Sequence, residues 1–168
     1  PAAGTTGNFL VQSIGGKKYL FNEKGNPVYG MQKGSTTTDA SVHYYYCGSS
    51  RADCSVKTGR FVMTEADGDK ITYYAESNGR GYTGVKNGYL YYEGRLQQAD
   101  QSAKYQTCYV DGKNYVISYS GLVMKSKTNL RDADGNKVST NADGTLKANL
   151  DGSLEALTPV APDVDDVD

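Results

Sequence analysis

The stretch TGVKNGYLYYEG, residues 83–94, places three tyrosines between two turns that contain glycine. Its Asn87-Gly88 pair is a strong signal for a two-residue hairpin turn, because both residues tolerate the positive φ angles that such a turn requires. The tyrosine-rich segment that follows favours a pleated strand, in which aromatic residues are enriched. The stretch therefore predicts a short β-hairpin.

Comparable units recur on both sides of this hairpin. Each has an aromatic run, a polar turn with glycine, a short segment and a second glycine: KKYLFNEKGNPVYG (17–30), HYYYCGSSRADCSVKTG (43–59), TYYAESNGRGYTG (72–84) and, more loosely, VDGKNYVISYSGLVMKS (110–126). An isolated hairpin is marginally stable, so the copies must stack or join a larger sheet. No segment shows sustained helical periodicity. The fold class predicted is all-β, an array of short β-hairpin repeats that resembles a β-solenoid.

Composition changes along the chain divide it into four parts. We expect residues 1–7 to be a flexible lead-in and residues 8–126 to hold the hairpin repeats. Residues 127–157 carry Asp-Gly pairs at 134–135, 143–144 and 151–152, which predict small successive hairpins. Residues 158–168 are acidic and contain proline, so they are expected to be a flexible linker or tail.

The overall composition limits the classes of partner. The 168 residues carry a net charge of −1, which gives no long-range attraction for nucleic acid, and they include 15 Tyr but no Trp. No apolar run approaches the roughly 20 residues that span a bilayer, so membrane insertion is not expected. The sequence begins at Pro1 without an initiator Met. We therefore expect it to be a fragment or a processed product.

Three cysteines do not make a disulfide framework. Cys47 and Cys54 flank a short polar stretch and could face each other across a hairpin, so a disulfide between them is one prediction. Disulfide geometry is demanding, and two free thiols are the alternative. Cys108 is expected to be a small strand residue.

The tyrosine clusters are the candidate ligand-binding residues. Exposed tyrosine rings can stack on sugar rings while nearby polar groups bond the hydroxyls. Successive strand residues point to opposite faces, so one tyrosine of each doublet is expected to pack in the core. The candidates, including one basic residue at the Asn87-Gly88 turn, are Tyr44, Tyr46, Tyr73, Tyr74, Lys86, Tyr89, Tyr91 and Tyr92.

Signals for catalysis or metal binding are weak. Asp132 and Asp134 alternate as in a calcium loop, but Gly135 and Asp143 fall at the wrong positions for an EF-hand, and Asp-Gly turns explain the stretch better. His43 is the only histidine, and no nucleophile motif accompanies it. The sequence therefore predicts neither an enzyme nor a metal site nor a cofactor.

The recurring unit resembles the choline-binding and cell-wall-binding repeats of Gram-positive surface proteins and phage lysins, to which the glucan-binding repeats of glucansucrases are related. In that family Gly-Trp, a polar turn ending in Gly, Lys-Trp-Tyr-Tyr-Phe, an Asx-Gly turn and Thr-Gly follow one another. TGVKNGYLYYEG, KKYLFNEKGNPVYG and TYYAESNGRGYTG share this framework, and the resemblance covers residues 8–126 well and 127–157 loosely. The positions of the family's tryptophans hold other residues here: Lys18, His43, Thr72, Leu90, Met31, Arg60 and Val85.

The resemblance implies a non-catalytic module of a larger extracellular, cell-wall-associated or phage protein. It would bind cell-wall polysaccharide or another surface glycan such as a glucan, in tyrosine-lined grooves between hairpins. The alternative is a structural spacer that kept the repeat fold, lost its ligand sites with its tryptophans, and contacts another protein chain. The two hypotheses differ in whether tyrosine pairs face solvent.

Overall fold

The structure, a computed structural model, describes residues 6–166, and every regular element among them is a β-strand. The predicted all-β hairpin array is confirmed. The part of the expected lead-in formed by residues 1–5 lies outside the described residues, whereas Gly7 already begins the first strand. None of the residues described forms a helix long and apolar enough to cross a membrane.

The chain forms two compact units. The first contains the chain up to Tyr82, then Glu93–Arg95 and the chain from Ala161 onward. The second contains Thr83–Tyr92 and Leu96–Val160. Each unit is thus assembled from segments that are separated in sequence.

The first unit contains six complete strands: β1 (Gly7–Ile14), β2 (Lys17–Phe21), β3 (Met31–Thr36), β4 (Asp39–Tyr46), β5 (Gly59–Thr64) and β6 (Lys70–Ala75). Four of them form a sheet in the order β2-β1-β3-β4, in which β1 and β3 are parallel and the other neighbours are antiparallel. Strands β5 and β6 form an antiparallel hairpin. The repeats of this unit therefore join into a sheet rather than remaining separate hairpins.

The second unit begins with the hairpin of the opening stretch, β7 (Gly84–Lys86) and β8 (Tyr89–Tyr92). Asn87 and Gly88 at its turn have φ angles of 52° and 84°, as a two-residue hairpin turn requires. The short strand β9 (Arg95–Leu96) is shared, since Arg95 belongs to the first unit and pairs with Tyr73 of β6. The predicted hairpin at residues 83–94 is confirmed.

The rest of the second unit contains two three-stranded sheets. The strands are β10 (Tyr105–Val110), β11 (Lys113–Ser118), β12 (Leu130–Arg131), β13 (Lys137–Thr140), β14 (Leu146–Asp151) and β15 (Ala156–Leu157). One sheet has the order β11-β10-β15, with β10 and β15 parallel, and the other has the order β12-β13-β14. The Asp-Gly turn at 134–135 separates β12 from β13, and the one at 143–144 separates β13 from β14, as predicted.

Each unit has two small hydrophobic clusters instead of one thick aliphatic core, as the polar composition indicated. In the first unit one cluster is centred on Phe9, Leu20 and Tyr45, and the other on Met31 and Tyr73. The second unit has one cluster around β8, β10 and β11 and another that joins β11 to β13. Tyr73, Tyr91 and Phe9 are the largest fully buried side chains.

The acidic tail, expected to be flexible, makes ordered contacts. Val160 N donates to Gln97 Oε1 at 2.8 Å within the second unit. In the first unit Asp163 N donates to Glu65 Oε2 at 2.7 Å, and Asp165 exchanges hydrogen bonds with the backbone of Met31. The composition of this segment favours solvation, but its backbone and Asp165 satisfy polar groups that the strands leave unpaired.

The predicted Cys47–Cys54 disulfide is not formed, and Cys47, Cys54 and Cys108 are all buried free thiols. Proximity across a polar loop does not ensure the narrow geometry that a disulfide needs. Burial raises the pKa of the Cys47 thiol, and the neighbouring Cys54 adds to that shift. Burial also raises the pKa of Cys108 to about 11. All three behave as small core residues.

Candidate ligand-binding site

The alternation of strand side chains divides the predicted tyrosines into two groups. Tyr73 is fully buried and Tyr91 is only 1% exposed, so neither ring can contact a ligand in this conformation. The other candidate tyrosines are half-buried, and they are Tyr44, Tyr46, Tyr74, Tyr89 and Tyr92. One tyrosine of each doublet therefore packs in the core, as the alternation predicted.

The half-buried tyrosines are divided between the units, with Tyr44, Tyr46 and Tyr74 in the first and Tyr89 and Tyr92 in the second. In the second unit, Tyr89 pairs with Lys86 across the hairpin and forms an isolated bridge with Leu122. In the first unit, Lys33 lies over the Tyr44 ring at 5.5 Å, and Tyr74 lies beside Tyr82 with ring centroids 5.6 Å apart. Among the candidate tyrosines, Tyr46 is the one that lines an open groove described below.

The groove lies in the first unit and has a volume of about 670 Å³. Its aromatic residues are Tyr46 at the end of β4 and Phe61 of β5, whose ring centroids are 5.4 Å apart. Phe61 pairs with Tyr73 across the β5–β6 hairpin, and those two rings are also 5.4 Å apart. The buried Tyr73 therefore supports the ring that the groove exposes.

Polar side chains surround these two rings. The remaining lining combines basic groups, hydroxyls and an amide with two small residues: Gly16, Lys17, Lys18, Ser55, Val56, Lys57, Thr58, Ser77 and Asn78. Lys57 is committed to the protein, because its Nζ contacts Asp53 Oδ1 and donates to Ser55 Oγ. A groove with apolar rings and nearby hydroxyl, amide and ammonium groups can bind a polyhydroxylated ligand. We call it the Tyr46–Phe61 groove.

A second cavity of about 370 Å³ shares three of these residues in its lining, also within the first unit. Lys18, Val56 and Asn78 line both spaces, and the cavity is completed by Val11, Leu20, Thr36, Thr38, Asp39, Tyr45 and Arg80. Its walls come from the β2-β1-β3-β4 sheet and from the turn before Gly81. We call it the Asp39–Arg80 cavity.

The charged groups of this cavity form a network. Asp39 Oδ2 lies 3.0 Å from Arg80 Nη1 and 3.2 Å from His43 Nε2, and Asp39 Oδ1 accepts a hydrogen bond from Ser41 N at 2.9 Å. The Ser41 backbone bond is the largest cause that lowers the pKa of Asp39, and His43 and Arg80 add to it. Asp39 is therefore a carboxylate at neutral pH.

Of the residues around these two spaces, the sequence singles out Tyr46 as a ligand-binding candidate. Phe61 stands outside the tyrosine doublets, and Lys18 and Lys57 belong to no motif that marks a binding site. Asp39 and Arg80 are 41 residues apart and share no motif. Only the pairing of β4 with neighbouring segments brings these groups together.

A cluster of three carboxylates, Glu65, Asp67 and Asp163, has oxygens within 4.8 Å of one another. The buried Glu65 is already engaged, because its Oε1 accepts from Arg95 Nη1 at 2.8 Å and its Oε2 accepts from Asp163 N. Glu65 therefore holds β9 through its ion pair with Arg95 and holds the acidic segment through the Asp163 N–H.

Asp132 belongs to a turn rather than to a calcium loop. Its Oδ1 accepts hydrogen bonds from Asp134 N at 3.0 Å and Asn136 N at 2.8 Å, and its Oδ2 accepts from the Asn136 side chain. Both oxygens therefore fix the turn, which agrees with the Asp-Gly interpretation.

Comparison with known proteins gives similarity at the level of structure. No protein-family model and no curated protein sequence matches the chain. Choline binding protein F from Streptococcus pneumoniae is 21% identical, with a TM-score of 0.53 over 86% of this chain and 41% of that chain. The same protein in the presence of a peptidoglycan analogue, a tetrasaccharide-pentapeptide, gives 23% identity and a TM-score of 0.52 over 86% of this chain and 40% of that chain.

CbpJ from the same organism is 21% identical, with a TM-score of 0.52 over 85% of this chain and 41% of that chain. The chain spans about two-fifths of the length of these proteins. Identity this low supports a common fold. The protein therefore has the fold of the choline-binding repeat proteins, as the sequence resemblance predicted.

Proposed function

We propose that this protein is a non-catalytic binding module for cell-wall polysaccharide or another surface glycan, and that the Tyr46–Phe61 groove is its binding site. The observation that carries the proposal is the groove itself. Two neighbouring rings lie among hydroxyl, amide and ammonium groups in a space of about 670 Å³. The apolar faces of a sugar ring can pack on the aromatic rings while its hydroxyls bond the polar lining.

The similarity to choline-binding proteins supports a role at a Gram-positive cell surface, in a longer extracellular or phage protein. Choline binding protein F has been crystallised in the presence of a peptidoglycan analogue. Each groove of this kind binds weakly, and several in one parent protein would gain affinity because later contacts become intramolecular. The residues around Tyr89, Tyr92 and Lys86 remain a second candidate surface.

Retention of the whole chain on purified Gram-positive cell walls tests the proposal, with free choline and soluble glucan as competitors. Tyr46→Ala removes an aromatic ring from the groove and should weaken retention by roughly fivefold or more, as truncation of a central aromatic contact does. Tyr109→Ala is the matched control, because Tyr109 is 62% exposed in the second unit. It should leave retention unchanged.

Thermal unfolding of both variants must show that they remain folded. Retention that depends on Tyr46 supports the groove, and the effective competitor then narrows the ligand class. If the folded wild-type chain is not retained, the module is a structural spacer, in which tyrosines such as Tyr73 serve packing alone.

A further inference from the structure

We propose that the Asp39–Arg80 cavity is a second subsite that binds an anionic substituent, a carboxylate or a phosphate, of the glycan in the Tyr46–Phe61 groove. This inference rests on the proposed function and names the chemical class of its ligand. Lys18, Val56 and Asn78 line both spaces, so the groove and the cavity are adjacent. In this proposal a ligand with a sugar ring in the groove extends one substituent past these residues into the cavity.

The charge of the cavity favours an anion. Its lining contains the cations Lys18 and Arg80 and the single anion Asp39. The Asp39 carboxylate is already matched, since Arg80, His43 and the Ser41 backbone N–H all contact it. The lining residues thus carry one more positive charge than negative charge, and Glu76, the second carboxylate beside Arg80, lies outside the lining.

Arg80 also has an unused donor. Its Nη1 bonds Asp39, and its Nε is enclosed by the protein 3.7 Å from Glu76 Oε2. Its Nη2 makes no hydrogen bond among the described residues, and an anionic oxygen bound beside the guanidinium would pair with it.

Lys18 supplies a second unused cation. Within residues 6–166 the ammonium group of Lys18 has neither a hydrogen bond nor an ion pair, in contrast to Lys57. The hydroxyls of Thr36 and Thr38, whose oxygens are 3.3 Å apart, bond to each other and leave one further donor at the cavity wall. Ammonium, guanidinium and hydroxyl donors around one cavity are the groups that bind carboxylate and phosphate oxygens.

The apolar part of the lining limits the size of the substituent. Val11, Leu20 and the buried Tyr45 line the cavity together with the charged groups, and its volume is about 370 Å³. This space fits a substituent or a single sugar unit rather than a polymer segment. The groove is the larger of the two spaces and is therefore assigned the main sugar ring.

Titration calorimetry of the whole chain with three matched oligosaccharides tests the inference. The first is a neutral gluco-oligosaccharide, the second has its primary alcohols oxidised to carboxylates, and the third has them phosphorylated. At low salt one or both acidic forms should bind roughly five times more tightly than the neutral form, and salt should reduce this preference. Whichever acidic form shows the preference identifies the substituent.

Two variants should reduce the ratio of acidic to neutral affinity. Arg80→Lys keeps a positive charge near Asp39 but removes the Nη2 donor and the planar fork. Lys18→Gln removes a cation that makes no internal ion pair, so it should fold normally even if Arg80→Lys does not. Lys70→Gln, at an exposed position of β6 outside both spaces, is the charge-matched control and should keep the ratio.

The results separate this inference from the proposed function. If the neutral oligosaccharide binds through Tyr46 but neither acidic form binds better, the groove stands and the anionic subsite is wrong. The same conclusion follows if Lys18→Gln and Lys70→Gln lower the ratio equally. If Tyr46→Ala changes no affinity for any of the three oligosaccharides, the proposed site itself is wrong, and the subsite fails with it.

Discussion

Gly94 and Gly68 share a backbone conformation but differ in their surroundings. Their φ angles are 89° and 91°, in a region that other residues rarely adopt. A Cβ atom at Gly94 would overlap the ring of the buried Tyr73, whereas one at Gly68 would meet nothing within 4 Å. A substitution at Gly68 therefore tests backbone strain alone, whereas one at Gly94 tests backbone strain together with the packing of Tyr73.

We expect Gly68→Ala to lower the free energy of unfolding by about 1–2 kcal/mol through backbone strain alone. Gly94→Ala should cost roughly 1–3 kcal/mol more, because it also displaces the Tyr73 ring. Urea unfolding of the two variants measures this difference. An equal loss in both would show that Tyr73 moves aside at no cost and that its close packing is unimportant for stability.

The sequence predicts that neighbouring side chains of a strand alternate between buried and exposed, but it does not predict which of the two is buried. It indicates that one residue of Tyr73 and Tyr74 is buried, and the structure buries Tyr73. The choice depends on Gly94, which comes from a distant segment and leaves room for the ring. No local pattern at residues 72–75 contains this information.

Asp165 lies in the segment that the sequence predicts to be a tail, and it bonds to the first unit at Met31. Its Oδ2 accepts a hydrogen bond from Met31 N at 2.8 Å, and its own N–H donates to Met31 O at 2.9 Å. The side chain of Met31 is fully buried, so these bonds lie at the edge of a hydrophobic cluster. The contact satisfies backbone groups at the start of β3.

Asp165→Ala should lower the free energy of unfolding by about 1–2 kcal/mol, because it leaves the Met31 N–H without its carboxylate acceptor. Asp166→Ala changes an exposed neighbour with the same loss of charge and should have little effect. Denaturant unfolding of both variants measures the difference. Equal stabilities for the two would indicate that the acidic segment detaches readily in solution.

The turns show that the sequence predicts the position of a turn but not the length of its loop. Asn87-Gly88 and Asp111-Gly112 have positive φ at both residues and form two-residue hairpin turns. Lys24-Gly25 and Asn78-Gly79 have positive φ only at the glycine and lie in longer loops, with Gly N–H groups bonded to Asn22 O and Glu76 O. A polar-Gly pair predicts a turn in every case, but loop length depends on the register of the paired strands.

Three aspartates distributed over both units connect stability to pH. The pKa of Asp39 is lowered chiefly by the Ser41 backbone N–H, and the pKa of Asp100 by the N–H of Ser102. The pKa of Asp143 is lowered chiefly by the hydroxyl of Thr145. Because these pKa values are lower in the folded state, the unfolded chain binds more protons as the pH falls toward them.

The stabilisation from these groups should therefore be complete above the ordinary aspartate pKa of about 4 and be lost as the pH falls below it. We expect the midpoint of urea unfolding to decrease from pH 6 to pH 3. The decrease should be smaller in the triple variant Asp39→Asn, Asp100→Asn and Asp143→Asn, which cannot take up these protons. An unchanged decrease would assign acid sensitivity to other carboxyl groups.

The division of the molecule into two units lies beyond what sequence patterns predict. The repeats predict the hairpins but not which segments come together. The chain leaves the first unit after Tyr82, returns for Glu93–Arg95, and returns again from Ala161. Each return depends on long-range bonds such as the one between Arg95 and Glu65, for which neither local segment has a signal.

The bond between Met31 and Asp165 joins residues that are 134 positions apart. During translation the β3 strand leaves the ribosome long before Asp165 is made. Until the whole second unit has been synthesised, the backbone N–H of Met31 must therefore bond to water or to another partner. The first unit cannot complete its hydrogen bonds before residue 165 is made, so a nascent chain that stalls before that residue would carry an incomplete first unit.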